Sequence, residues 1–472
     1  MSSSSVKVVV IGGGPGGYAA AFQAADLGLE TTLIEMQDNP GGVCLYRGCI
    51  PSKALLHVAK LIRETRHSAA WGIEFEPPKI DLDQLRKWKN SVVNKMTGGL
   101  GQLTKARKIN YVQGKARFID SKTIMVEKEG AKDELITFEH AILATGSRAA
   151  TIPNFPTDSP AIMGSRGALE LESIPKTMLV IGGGYIGLEL GSVYSALGTK
   201  VTIVEMLPSL LPGADRDMVT ILTREMKNTV HKVMTNTRVT EIKELKKGIK
   251  VKFGGDFEGE ETFEKILVSI GRKPNTAGIG LENTKIELDE RGFVKVDLQR
   301  RTAEKSIFAI GDITGDPMLA HKASHEGKVA AEVIAGHKTA FEPAAIPAVM
   351  FTDPEIAWCG LTENEAKQKN IPIEVTRFPW AASGRATTLD RQDGLTKLII
   401  DPETERILGV GIIGPGAGEL IAEGALAVEM AALATDLKLT IHPHPTLSET
   451  IMESAEVFFG ESTHVYRPKK RK

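Results

Sequence analysis

A chain of 472 residues with 42% hydrophobic residues, 47 glycines and a formal net charge of −1 exceeds what one core usually holds, so two to four domains of a soluble α/β protein are expected. The balanced charge gives nucleic-acid binding no support, and no apolar run reaches the roughly 18 residues of a membrane span. Three cysteines are too few for a secreted disulfide framework.

The N-terminal Met1-Ser2-Ser3-Ser4-Ser5 runs into an apolar strand, Val6 to Ile11, without a basic region, apolar stretch and cleavage site in series. No signal peptide is expected, and the expected location is the cytoplasm, or the mitochondrial matrix in a eukaryotic source. The strand leads into Gly12-Gly13-Gly14-Pro15-Gly16-Gly17, an Ala-rich helical stretch, and a second strand, Thr31 to Ile34, that ends in Glu35. The same order returns later: Met178-Leu179-Val180-Ile181, then Gly182-Gly183-Gly184-Tyr185-Ile186-Gly187, then Val201 to Val204 ending in Glu205. Both acids fall 23 residues after the first glycine of their loop. Two copies with one internal spacing predict two Rossmann-type dinucleotide-binding domains. The first glycine (Gly12, Gly182) permits a tight turn, the second (Gly14, Gly184) lets a pyrophosphate approach the backbone, and the third (Gly17, Gly187) packs helix on strand. Each acid accepts ribose hydroxyls and would repel a 2′-phosphate, so both units favour a dinucleotide such as FAD or NAD over NADP.

Between the two units lies Gly41-Gly42-Val43-Cys44-Leu45-Tyr46-Arg47-Gly48-Cys49-Ile50-Pro51-Ser52-Lys53, which places two of the three cysteines five positions apart. On a regular helix such positions lie about 8–9 Å apart, whereas a disulfide needs Cα atoms within roughly 7 Å. A bridge here has to bend the backbone, and a strained bridge is readily reduced, as a cycling dithiol requires. The alternatives are two unpaired buried thiols, or half a metal site lacking a second Cys or His pair.

Farther along, His140 to Ala144 reads as a buried strand followed by Thr145-Gly146-Ser147, and Ile152-Pro153-Asn154-Phe155-Pro156 has linker composition. Ile307 to Ile310 is another strand, ending in Gly311-Asp312, where a carboxylate meets ligands in such sheets or makes an ordinary turn. Beyond Ile346-Pro347, strands at Thr396 to Ile400 and Ile407 to Ile413, with helices at Gly418 to Leu433 and Ser448 to Phe458, predict an α+β module. Its apolar helix fits a subunit interface or an internal core equally. Cys359 lies in an apolar strand-like run and reads as a small buried hydrophobe. In His442-Pro443-His444-Pro445-Thr446-Leu447-Ser448-Glu449, a His near a carboxylate suits a general base, although a loop with structural histidines has the same composition. The tail Arg467-Pro468-Lys469-Lys470-Arg471-Lys472 reads as a solvated end or a docking segment.

Over nearly its whole length the chain resembles the pyridine nucleotide-disulfide oxidoreductases. The segment from Cys44 to Lys53, the paired glycine loops, Ala144-Thr145-Gly146-Ser147, Gly271-Arg272-Lys273-Pro274-Asn275, Gly311-Asp312 and the run from His442 to Glu449 carry the likeness. The resemblance implies an FAD-binding domain from residues 1–150 and 280–345, an NAD-binding domain over 151–279, and a C-terminal α+β dimerisation domain over 346–472. It further implies that Thr145, Gly146, Ser147 and Gly271 border the cofactors, that Asp312 holds the flavin ribityl chain, and that Ala320 touches the ring through its backbone. Lys53 would approach the flavin with Glu189 as its partner, and the backbones at Ala116 and Val239 would touch the adenines of FAD and NAD. His444 and Glu449 would reach the Cys44–Cys49 disulfide of the other subunit of a homodimer. Within the family, the branch implied oxidises a dihydrolipoyl group, carried on an acyltransferase or lipoyl carrier protein, as a shared component of 2-oxo acid dehydrogenase complexes. His444 would deprotonate that substrate, Cys44 would take the attack, and electrons would pass from Cys49 through FAD to NAD.

Tyr46-Arg47 stands where many members carry Asn-Val, and Arg47 is expected either to stabilise the thiolate or to be an inert helix residue. Tyr185 is placed to cover a nicotinamide pocket, and Pro443 replaces a commoner Ala. Glutathione-type reductases share the cysteine spacing but use NADP, which Glu205 disfavours; a non-catalytic flavoprotein scaffold or redox sensor is the remaining alternative.

Overall fold

Short apolar strands alternating with glycine turns and alanine-rich helices build two parallel sheets, as chains buried on both faces do. A computed structural model of the protein describes residues 2–152, 155 and 159–466. Pro153, Asn154 and Pro156 of the expected linker, and the basic tail from Arg467 to Lys472, lie outside the described residues.

In the first sheet, Ser2–Ile11 is flanked by Thr31–Glu35 and Glu134–Leu143, all parallel, with Asn110–Gln113 beyond the former and Ile307–Ala309 beside the latter. The first strand begins at Ser2 instead of Val6, because Glu134–Leu143 pairs along its whole length, with Ser5 opposite Thr137 and Ile11 opposite Leu143. An antiparallel hairpin, Lys115–Phe118 and Thr123–Glu127, completes this sheet. The second sheet orders Lys232–Met234, Lys200–Val204, Thr177–Ile181, Lys265–Val268 and Ile162–Met163, again all parallel. A three-stranded antiparallel meander over Thr237–Leu245, Gly248–Gly255 and Gly259–Phe263 packs against it. The C-terminal sheet is antiparallel throughout, with Ile407–Gly414 between Glu355–Gly360 and Leu395–Ile400.

The expected helix from Gly418 to Leu433 ends earlier, as Ala417–Glu429, and a second helix, Ala434–Leu439, follows it. Ala431 adopts φ +55° and Ala432 N–H returns to the Ala427 carbonyl at 2.9 Å, which closes the first helix before Leu433. Ile421, Gly424, Ala427 and Val428 face the core, while Leu426 and Met430 are 62% and 71% exposed. Cys359 is buried in the C-terminal sheet, and burial pushes its thiol up to about 12.

The helix Cys49–His67 joins the layers. Leu55, Leu56, Ala59 and Ile62 bury one face in the same core as Leu188, Leu190, Val193 and Tyr194 of the helix Tyr185–Ala196. Full burial of a leucine or isoleucine contributes about 1.5–3 kcal/mol, so this seam holds the second unit against the cysteine helix.

Candidate functional site

The two glycine loops repeat each other atom by atom. Gly12 N–H donates to Ile34 O and Gly182 N–H to Val204 O, both at 2.9 Å, and the two glycines take φ of +104° and +109°. A side chain on Gly12 would collide with the Ala144 carbonyl, and one on Gly182 with the Ser269 carbonyl. Glu35 Oε2 accepts from Gly13 N–H, and Glu205 Oε2 from Gly183 N–H, both at 2.7 Å. Met36 and Gln37 N–H hold the other Glu35 oxygen at 2.8 and 3.2 Å, and Leu207 N–H holds the other Glu205 oxygen at 2.8 Å. Gly17 and Gly187 lie against the carbonyls of Gly12 and Gly182, where a Cβ has no room.

Cys44 lies on the helix Gly42–Arg47 and Cys49 opens the helix Cys49–His67. Gly48 breaks the run between them with φ −146° and ψ −114°, the bend that the spacing demanded. A Cβ on Gly48 would stand 2.9 Å from the Val43 carbonyl. Both cysteines are free thiols in this structure and hydrogen-bond to one another. The thiol–thiol bond from Cys44, followed by the Lys53 charge, lowers Cys49 to about 7 against the resistance of burial, whereas the same bond and burial raise Cys44. Burial, and then the charges of Cys44 and Cys49, raise the phenol of Tyr18, a neighbour that sequence reading had not singled out.

Lys53, one helical turn beyond Cys49, reaches the buried Glu189 with Nζ 2.8 and 3.0 Å from its two oxygens. Phe351 N–H donates to Glu189 at 3.0 Å, and the Phe351 ring lies 4.5 Å from Lys53 Nζ. The Ala144–Ser147 turn is stapled to Arg272–Asn275: Thr145 Oγ1 donates to Asn275 O at 2.8 Å and Asn275 Nδ2 to Thr145 O at 3.0 Å. Ser147 donates to Asp312, while Arg272 Nε donates to Ser147 Oγ at 2.6 Å and stands 3.9 Å from the Asp312 carboxylate. Behind Asp312, the fully buried Glu326 accepts from Gly311 N–H at 2.6 Å, Arg300 Nη1 at 3.0 Å and Lys322 Nζ at 3.1 Å. Phe351 and Glu326 carry no motif; their roles arise from packing.

These groups surround one cavity of about 660 Å³, within the range of cofactor sites. Glu35 and Ala116 line it at one end; Cys44, Cys49 and Lys53 line it elsewhere, together with Asp312, Ala320 and the Thr145–Ser147 turn. Tyr185 and Glu189 of the second unit also form its wall. Gly14 faces the cavity where nothing nearer than Gly42 Cα at 3.9 Å would meet a Cβ. A glycine-lined helix start with a fixed carboxylate beyond it and a thiol pair within the same space fits an extended dinucleotide that carries a redox ring.

Gly184 and Gly271 face open space outside this cavity, and Tyr185 is 42% exposed. Val239 lies on the meander, half-buried, two residues after Thr237, whose N–H bonds the Glu205 carbonyl at 3.0 Å. His444 and Glu449 form a pair with Nδ1 to Oε1 2.9 Å, and Thr446 N–H holds the second Glu449 oxygen at 2.7 Å. Although burial opposes it, these contacts hold the Glu449 carboxyl below its usual range. Neither residue lines the cavity of its own chain. Among the described residues, no group of three or more His, Cys, Asp or Glu could hold a metal, and no helix is long and apolar enough to cross a membrane.

Residues 6–327 match the family described as pyridine nucleotide-disulphide oxidoreductase, and residues 346–455 match its dimerisation domain. The dihydrolipoyl dehydrogenase of Vibrio cholerae serotype O1 is 49% identical over 99% of this chain and 98% of its own length. That of Haemophilus influenzae is 49% identical over 97% and 96%, and that of Geobacillus stearothermophilus 46% over 97% of each. Among solved structures, LpdA from Mycobacterium tuberculosis superposes with a TM-score of 0.89 at 26% identity, covering 96% of this chain and 99% of that one. The HOCl-induced flavoprotein disulfide reductase RclA from Escherichia coli gives 0.84 at 27%, with the same coverage. The chain therefore belongs to the pyridine nucleotide-disulphide oxidoreductase family.

Proposed function

We propose that this protein is an NAD-dependent flavoprotein disulfide oxidoreductase that reoxidises dihydrolipoamide to lipoamide. The observation that carries the reading is the thiol pair Cys44–Cys49 inside a dinucleotide-sized cavity walled by both glycine-loop units. The near-full-length likeness to dihydrolipoyl dehydrogenases selects the substrate. Bound FAD supplies two-electron transfer between the thiol pair and NAD, which takes up a hydride. Gly12, Gly14, Gly17, Glu35, Ala116, Thr145, Gly146, Ser147, Asp312 and Ala320 would hold FAD; Gly182, Gly184, Gly187, Glu205, Val239 and Gly271 would hold NAD. The assignment of residues 1–150 with 280–345 to FAD, 151–279 to NAD and 346–472 to the subunit interface is supported by a separate main sheet in each, with the pairing of Ser147–Ala149 and Arg272–Pro274 bridging the first two.

The chain's own residues divide the remaining work. When the pair is a disulfide, His444 Nε2 takes the proton of a substrate thiol while Glu449 steadies the ring at Nδ1. The substrate thiolate attacks Cys44, the S–S bond breaks, and Cys49 departs as a thiolate beside Lys53. The second substrate sulfur then closes on the first, Cys44 leaves with the proton held by His444, and His444 takes the proton of the second thiol. Because His444 and Glu449 stand off their own chain's cavity, a homodimer brings them from the second copy, and the exposed Leu426 and Met430 suit that interface. The substrate arm is a lipoyl group on an acyltransferase or carrier protein. A cycling dithiol of this kind suits the reducing cytoplasm, or a mitochondrial matrix.

Assaying NAD reduction by dihydrolipoamide, beside oxidised glutathione reduction by NADPH, tests the reading. Turnover is expected only in the first assay; turnover only in the second would replace it with a glutathione-type reductase, and none in either would favour a scaffold.

A further inference from the structure

Arg47 lies between the two sulfurs in sequence, on the same helix as Cys44, and its side chain lines the cavity. Among the described residues it makes no hydrogen bond or ion pair, and its Nε is buried without an acceptor. The other cations of the cavity wall differ. Lys53 is neutralised by Glu189, Arg272 bonds Ser147 and faces Asp312, and Arg148 bonds Pro274 O and Asn275 Oδ1. Lys115 is exposed to solvent. A guanidinium does not lose its proton, so Arg47 is a cation of the cavity wall without an acidic partner among the described residues. The cation that acts on Cys49 is Lys53, which leaves the thiolate role first expected of Arg47 already filled.

We infer that Arg47 is the counter-charge for the bound flavin in its reduced state. This inference rests on the FAD reading above. With Cys49 a thiolate and Cys44 a thiol, oxidation of the pair breaks one S–H bond and forms one S–S bond. Both electrons and the Cys44 proton pass to FAD, so the negative charge moves from Cys49 to the flavin. The diphosphate is already served by the glycine loop and the helix start at Pro15. Gly42, at the opposite end of the Arg47 helix, is the residue packed on that loop, 2.5 Å from Gly14 Cα to its Cβ position. Arg47 therefore belongs to the sulfur end of the site, where that charge passes between Cys49 and the flavin.

The test uses the full chain with FAD in a Cys44→Ser/Cys49→Ser background, so that only FAD takes electrons. The FAD potential is read by dye equilibration, and the dissociation constant of oxidised FAD by fluorescence. Arg47→Val should bind oxidised FAD within about threefold of the parent and reduced FAD about tenfold more weakly, a potential lower by about 30 mV for a two-electron couple. Arg47→Lys should restore most of that shift. An unchanged potential in Arg47→Val would overturn the inference, as would equal weakening of oxidised and reduced FAD, which would mark a diphosphate or packing contact. Failure of the parent protein to take up FAD would overturn the functional reading itself, a distinct outcome.

Discussion

The two glycine-loop units share a turn, a carboxylate and a hydrogen-bond pattern, yet they open onto different surroundings. The first contributes to a cavity walled by the cysteine helix, the Asp312 turn and the helix from Ala320. In the second, Gly184 and Gly271 have nothing within 4 Å of a Cβ position, and the neighbouring tyrosine is half-exposed. Identical local chemistry thus suits a retained ligand in one place and an exchanging one in the other. The neighbouring elements, not the loop, set the difference.

The comparison is sharpened most by altering the turn glycines. Gly12→Ala forces a side chain onto the Ala144 carbonyl at φ +104°. It should raise the FAD dissociation constant at least 100-fold, about 2.7 kcal/mol, seen as flavin lost on gel filtration. Gly182→Ala should weaken NAD to a similar extent while the flavin stays; loss of flavin there would show that the units are not independent.

A smaller effect is expected at the sulfurs. Cys49 is lowered to about 7, so its thiolate persists above that pH and is lost as pH falls through it. Cys44→Ala removes the largest lowering contact, and the midpoint of Cys49 alkylation should move up toward about 8.5, slowing alkylation at pH 7 roughly tenfold. Lys53→Met should move the midpoint upward by less. An alkylation profile unmoved in both variants would break the link between this pair and its cation.

Smaller again is nucleotide choice. Glu205→Gln removes the charge that faces a 2′-phosphate, and the NADP-to-NAD affinity ratio should rise about tenfold, or 1.4 kcal/mol; an unaltered ratio would mean that Glu205 serves only the Gly183 turn. Last, Tyr185→Ile should change the NAD dissociation constant about threefold, well under 1 kcal/mol. An unaltered constant would remove Tyr185 as a gate.

Much of the site was legible because its parts are local. A glycine at a turn, an acid at a strand end and a glycine between two thiols act within a few residues, and their spacing survives in the linear chain. The break at Gly48 illustrates this: helix geometry alone required a bend between Cys44 and Cys49. The Lys53–Glu189 pair was anticipated from resemblance, but the Phe351 N–H that completes it was not, since it lies 162 positions from Glu189. Glu326 was hidden for a related reason, as an acid on an Ala-rich helix ordinarily marks a solvated face. The end of the helix at Glu429 was missed because Ala431 enters the left-handed region without a glycine to announce it.

By itself the sequence determined the two glycine-loop units, the acid at each strand end and the bend between the two thiols, since each follows from steric and electrostatic rules over short distances. Only the tertiary structure decided which cation serves Cys49 and which is left over. It also decided that the first glycine loop lines a cavity while Gly184 of the second faces outward, and that His444 does not line the cavity of its own chain's cysteines. Those outcomes depend on which helix faces bury together, and burial converts a charge from solvated to one that must find a partner.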